Sequence, residues 1–153
     1  RGGAPERYPV RRPRRAVPHK VVGAGLVVDR RGRLLIARRP EAAMLGGLWE
    51  FPGGTLEEGE TLPDCVAREL REELALTVRV GERLTVVRHA YSHFTISLHA
   101  YWCAIERGRP RALGCDAYAW VRPEGLRVYA WSRADVAIIE CIEQRKGERL
   151  SRP

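Results

Sequence analysis

At 153 residues with 44% of them hydrophobic, the chain has the size and apolar content of one domain around one core. No apolar run approaches the roughly 18–20 residues that span a bilayer, and the Arg-rich start lacks the apolar stretch of a secretory signal; a soluble, cytoplasmic protein is expected. The formal charge of +8 is uneven, because residues 1–20 carry seven Lys/Arg against Glu6 while the rest is nearly balanced.

Four cysteines, Cys65, Cys103, Cys115 and Cys141, lie far apart with no CxxC pair, which suggests neither a zinc site nor a disulfide framework. Residues 1–19 include YPVRRPRRAVP, too polar and Pro-rich to fold alone, and are expected to form an extended arm or linker. Such an arm is either a solvated tail or a contact for a phosphate backbone, which would make DNA a partner. Because the sequence opens with Arg1 rather than Met, a fragment or processed product is the expectation.

A folded domain is expected over 20–146, with a tail at 147–153. KVVGAGLVV, a turn at Asp29–Gly32 and RLLIA predict a β-hairpin over 20–37. Arg39–Trp49 reads as a loop, and Pro52-Gly53-Gly54 breaks the chain before an acidic helix. Thr61 and Asp64 have capping-box spacing, with Pro63 in the first turn, and the helix should run to about Ala75. Leu62, Val66, Leu70 and Leu74 form its core-facing stripe. Two β-rich runs follow, TVRVGERLTVVRHAY and FTISLHAYWCAI, then a short strand AYAWV. Ser132 opens a second helix with Ile138, Ile139 and Ile142 at helical spacing. Two helices around these strands predict an α/β fold, an α/β/α sandwich with a mixed β-sheet.

Chemistry concentrates on the first helix. Residues 68–73 read Arg-Glu-Leu-Arg-Glu-Glu, which puts Glu69, Glu72 and Glu73 on one helical arc. Carboxylates this crowded disfavour one another's ionised forms unless a cation neutralises them, and an all-oxygen ligand set favours Mg²⁺ or Mn²⁺ over zinc. In isolation the same run also reads as a charged solvent face.

The segment GTLEEGETLPDCVARELREELAL, 54–76, resembles the signature of the Nudix hydrolase superfamily, G-x5-E-x7-R-E-U-x-E-E-x-G-U with U aliphatic. Gly54, Glu60, Arg68, Glu69, Leu70, Glu72, Glu73 and Leu76 match. The departure is Ala75, where the signature has Gly, at a helix end that commonly takes positive φ. The resemblance implies that Glu69, Glu72 and Glu73, with the Gly53 carbonyl, hold Mg²⁺ against a polyphosphate and that an activated water attacks phosphorus. It implies that Arg68 and Glu60 brace the loop and helix. Arg39 either contacts the polyphosphate or is an exposed structural arginine. An acidic residue on a later loop often assists in such enzymes, and Asp116 is the candidate.

The likeness extends over Lys20 to Ile142, through LGGLWEFPGG, HAYSHF and YAWSRADVAII. These stretches are similar to the MutT-type 8-oxo-dGTP pyrophosphohydrolases and to the C-terminal domain of MutY-type adenine DNA glycosylases. Both handle 8-oxoguanine, whose N1–H, N2–H₂ and N7–H donors call for acceptors beside an apolar or aromatic wall. Asp135 stands where the hydrolases place a base-reading Asn or Asp, although it could equally close a capping box with Ser132. Tyr91 either stacks on the base or packs in the core. Tyr91-Ser92-His93 resembles the loop by which the glycosylase domain approaches its lesion. Phe51 and the four tryptophans are assigned mainly to packing. The glycosylase domains have lost the signature glutamates that this chain keeps, so hydrolysis of 8-oxo-dGTP to 8-oxo-dGMP and pyrophosphate is expected first and lesion recognition in DNA second.

Overall fold

A computed structural model describes residues 17–150, with side chains described as far as residue 145; residues 1–16 of the basic arm lie outside the described residues. The chain runs β1 (His19–Val27), β2 (Leu34–Arg38), β3 (Trp49–Glu50), β4 (Gly53–Thr55), α1 (Leu62–Leu74), β5 (Thr77–Ala90), β6 (Thr95–Arg107), β7 (Ala117–Val121), a 3₁₀ turn (Pro123–Val128) and α2 (Arg133–Leu150). The second helix therefore continues into the segment expected as a tail.

The strands form two sheets, β4-β1-β6-β5 and β3-β2-β7. The first is mixed, because β1 runs parallel to β6 and antiparallel to β4. The expected hairpin of β1 and β2 is only a tight corner. Asp29 accepts from the backbone N–H groups of Arg31 and Arg33, at 2.9 and 2.8 Å, and one bridge joins Val28 to Leu34. Beyond that corner the strands part, for a plain reason: β4 and β6 already occupy both edges of β1, leaving no hydrogen-bonding edge for β2. β2 pairs instead with β3 and β7.

Strand alternation sends side chains to two separate cores. Leu26, Leu34, Ile36, Leu98 and Ala100 face α2, where Ile138, Ile139 and Ile142 complete one cluster. Val27, Leu35, Tyr101 and Cys103 face α1, against Val66, Leu70 and Leu74. The sheets are thus covered on both faces, which is the predicted sandwich. Of the stripe expected on α1, Val66, Leu70 and Leu74 are buried together with Cys65, and Leu62 is half-buried at the start of the helix. α1 lies close on β1 because Gly23 and Gly25 face it; a methyl on Gly25 would sit 2.7 Å from a Leu70 methyl.

Both ends of α1 follow the sequence. Thr61 caps it by accepting from the Asp64 N–H at 3.2 Å, and Ala75 closes it at φ 60° and ψ 32°. An alanine in that left-handed conformation carries strain of about 1–2 kcal/mol that glycine would not.

Candidate active site

Arg68 organises the outer part of the acidic helix. Its Nε donates to Glu60 Oε2 at 2.5 Å, its Nη1 to Glu69 Oε2 and Glu72 Oε1 at 3.0 Å each, and its Nη2 to the Thr55 carbonyl at 3.2 Å. One guanidinium thereby ties the approach loop, the end of β4 and two turns of α1 together, using the fixed fork that lysine lacks. The Arg68 charge and hydrogen bonds bring Glu60 down to about 2, so it is ionised throughout the neutral range. The bracing role expected for this pair is the arrangement observed.

Glu69 lies against Gly54, whose missing side chain leaves room for the carboxylate; a Cβ there would collide with it. Glu69 is pushed upward by burial, against the opposing pull of Arg68. Glu73 faces inward. Its Oε1 is buried and accepts no hydrogen bond, and burial, reinforced by the charges of Glu50 and Glu69, raises its carboxyl to about 8.

Glu50 belongs to the same group. It falls between the loop expected up to Trp49 and the chain break expected at Pro52, in a strand of two residues with no period to mark it. Its side chain, 15% exposed, pairs with Arg39 at 3.1 Å. Burial and the charge of Asp135 raise it to about 7, against the pull of Arg39. An acidic residue between Trp49 and Phe51 was the signal available, since a charge inside an aromatic run is uncommon without a partner.

Next to Glu50 is a small cleft of about 130 Å³ whose walls include Tyr91, Phe94, Phe51, Ile96 and Leu98, with Lys20, Arg39, Gly53 and Asp135 as polar groups. Asp135 is 5% exposed. It accepts from the Ser132 hydroxyl at 2.6 Å and from the Phe51 N–H at 3.1 Å, so it fastens the start of α2 to the segment before Pro52. Burial raises its carboxyl to about 6, against those two bonds. Each oxygen keeps a second lone pair for a ligand. Tyr91 stacks on Phe94 with ring centroids 4.9 Å apart, and its hydroxyl accepts from the Ala134 N–H at 3.1 Å. Lys20 Nζ lies 4.7 Å over the Phe94 ring.

Apart from Glu73, which stands with Glu50, the expected site residues separate into three groups. Glu60, Arg68, Glu69 and Glu72 share one network; Arg39, Gly53, Tyr91 and Asp135 line the cleft; Ser92 and His93 are exposed in the turn between β5 and β6 and are not among its lining residues. Arg39 also donates from Nε to the Met44 carbonyl at 2.7 Å, so it holds the 40–48 loop as well as Glu50. Asp116 pairs with Arg38 at 3.7 Å.

Among the described residues no three His, Cys, Asp or Glu side chains stand together at metal-ligand spacing, because Glu69 and Glu72 turn toward Arg68. The donor set nonetheless suits a hard divalent cation. Glu73 has an unpartnered oxygen, its neighbours are carboxylates, and such ions take oxygen ligands.

The NUDIX domain family matches over residues 23–141. The CTP pyrophosphohydrolase of Escherichia coli K12 is 33% identical over 123 residues, 80% of this chain and 91% of its own. The 8-oxo-dGTP diphosphatase of the same strain is 38% identical over 123 residues, 80% of this chain and 95% of its own. An adenine DNA glycosylase of Rattus norvegicus is 29% identical over 143 residues, 89% of this chain but 28% of that enzyme. With its signature glutamates gathered on α1 beside a lined cleft, the chain belongs to the Nudix family and is a Nudix hydrolase.

Proposed function

We propose that the chain is a Mg²⁺-dependent nucleoside triphosphate pyrophosphohydrolase that cleaves 8-oxo-dGTP to 8-oxo-dGMP and pyrophosphate. Nudix hydrolases generally use divalent metal ions; here Glu69, Glu72, Glu73 and the Gly53 carbonyl would hold the ion, with Mn²⁺ an alternative of the same oxygen-seeking class. Bound there, the ion supplies positive charge against the polyphosphate and lowers the pKa of water. Arg68 and Glu60 hold the carboxylate helix against the approach loop. Arg39 offers a cation at the cleft. Tyr91 and Phe94 give a wall for a planar base, and Asp135 offers acceptors for the N1–H and N2–H₂ edge.

The observation that carries the reading is the position of Asp135. This buried carboxylate, bonded to the N–H of Phe51 two residues before Gly53, lines the same cleft as Gly53, which supports a reading in which one ligand reaches both. The likeness to a CTP pyrophosphohydrolase supports a second reading, a pyrimidine triphosphate, whose exocyclic amine is also a donor. A third reading is recognition of the oxidised base in DNA through Tyr91, Ser92 and His93, supported by the exposed turn and the likeness to the glycosylase.

The test is release of pyrophosphate and monophosphate from 8-oxo-dGTP, dGTP, CTP and dCTP, with Mg²⁺ and with EDTA. Metal-dependent preference for 8-oxo-dGTP supports the first reading. Preference for the cytosine nucleotides replaces it with the second. No turnover by folded protein, together with selective binding of an 8-oxoguanine duplex, replaces both with the third.

A further inference from the structure

A second and larger cleft lies at the other end of the sandwich, and it takes no part in the proposed reaction. Its volume is about 610 Å³, within the size range of small-molecule and cofactor sites. Lys20 and Val22 of β1 border the active-site cleft, whereas Val28, just past the end of β1, borders the second. From Val22 to Val28, six residues at about 3.3 Å each put roughly 20 Å between the two along the strand. On β6, Leu98 belongs to the first cleft and Trp102 to the second, roughly 13 Å apart, and on α2 Asp135 belongs to the first and Ile142 to the second, roughly 10 Å apart.

The second cleft has a specific origin. Pairing of β5 with β6 slips between Val80 and Arg83 and again between Arg83 and Thr85. Such bulges open and twist a sheet edge. Gly81 sits in the slipped stretch beside the Trp102 carbonyl and presents no side chain. The space is walled by Trp102, Leu34 and Ile142, which is an aromatic and aliphatic surface. Arg31, Arg79, Arg122 and Arg145 border it, with Glu124 as the acid among the lining residues. Arg145 pairs with exposed Glu82 at 3.2 Å. The side chains of Arg31, Arg79 and Arg122 have no ion pair among the described residues. Four arginines against one carboxylate around an apolar space leave an excess of positive charge that gains from an anion.

We infer that this cleft is a second binding site, for a nucleoside monophosphate, with the base against Trp102 and the phosphate held by Arg79 and Arg122. The occupant follows from two complementarities. Guanidinium forks match phosphate oxygens in bidentate geometry, and an indole face suits a planar base. A cleft of about 610 Å³ suits a ligand the size of one nucleotide. This inference does not depend on which triphosphate the first cleft hydrolyses, because neither Trp102 nor the four arginines belong to that cleft.

The experiment is an amide and indole chemical-shift titration of the full chain with dGMP, with dCMP and with pyrophosphate, all in EDTA. Both nucleotides should shift Gly32, Gly81, Ala104 and the Trp102 indole in a saturable manner, as a set titrating separately from Phe51 and Asp135. Arg79→Glu with Arg122→Glu should weaken the far set at least ~10-fold, the effect of losing charged hydrogen bonds, and leave the Phe51 and Asp135 shifts as they are. The milder Arg79→Gln with Arg122→Gln pair serves if charge reversal disturbs the fold. The inference is overturned by absence of far-set shifts at millimolar nucleotide, or by far-set shifts that the variants do not weaken. It is also overturned by equal far-set shifts with pyrophosphate alone, which would mean an anion patch that ignores the base. Far-set shifts that follow protein concentration without nucleotide would overturn it too, since a second copy of the chain would then fill the cleft.

Discussion

Replacing Glu73 by Gln should change how stability depends on pH, by an amount that follows from its environment. With its carboxyl raised to about 8 in the fold against 4.5 in the unfolded chain, Glu73 is protonated when native and ionised when unfolded through the interval between those values. The native state then binds one more proton, so stability is full below the lower value and falls as pH rises toward the upper one. At about 1.36 kcal/mol per pH unit, going from about pH 6 to about pH 7.5 removes roughly 2 kcal/mol through this group alone. Glu50, raised to about 7, adds a fall of the same sign in both proteins, so the difference between them isolates Glu73. Urea unfolding of wild type and Glu73→Gln at the two pH values, in EDTA, measures it. The wild type should lose about 2 kcal/mol more than the variant over the interval, and excess Mg²⁺ should shrink that excess by favouring the ionised carboxylate in the fold. Equal pH slopes for the two proteins in EDTA would refute the argument.

Ala75→Gly should raise stability by about 1 kcal/mol, because glycine relieves the left-handed cap; an unchanged or lower urea midpoint would contradict this. Gly54→Ala should displace the Glu69 carboxylate and reduce turnover about 100-fold, the scale of a misplaced reacting group, with thermal unfolding still cooperative. Asp135→Ala leaves the buried Phe51 N–H and Ser132 hydroxyl without their acceptor and should cost about 2 kcal/mol of unfolding free energy. Asp135→Asn, which keeps an acceptor, should recover most of that stability while changing the ratio of 8-oxo-dGTP to CTP turnover.

Where local physics settles the structure, the sequence was readable. The Thr61 cap, the Val66-Leu70-Leu74 stripe and the positive φ at Ala75 each follow from spacing within one helix. The ion pair of Arg68 and Glu60 was legible through the signature. The hairpin of β1 and β2 was misread because pairing is non-local: nothing within residues 20–38 shows that β6, some seventy residues on, claims the edge of β1. Strands β3 and β4, of two and three residues, are too short to have a period, so Glu50 stayed hidden in a presumed loop boundary. Of the roles weighed for Asp135, the link to Ser132 is observed, side chain to side chain. Asp135 also reaches Phe51 across 84 residues, a contact no local pattern encodes.

The passage from β3 to β4 has a metrical consequence. Glu50 ends a strand of one sheet and Gly53 begins a strand of the other, with only Phe51 and Pro52 between them. The Phe51 N–H is tied to Asp135, and the Pro52 carbonyl accepts from Gly25 at 2.8 Å. Three residues of chain cannot stretch beyond about 10 Å, and both interior residues are pinned, so this segment works as a ruler of fixed length laid between the two sheets. On the proposed reading it sets how far apart the base at Asp135 and the phosphate chain at Gly53 are gripped at once. Sliding of one sheet on the other cannot lengthen it without breaking those two hydrogen bonds. A ligand with a longer separation between its recognised ends would have to let go of one of them.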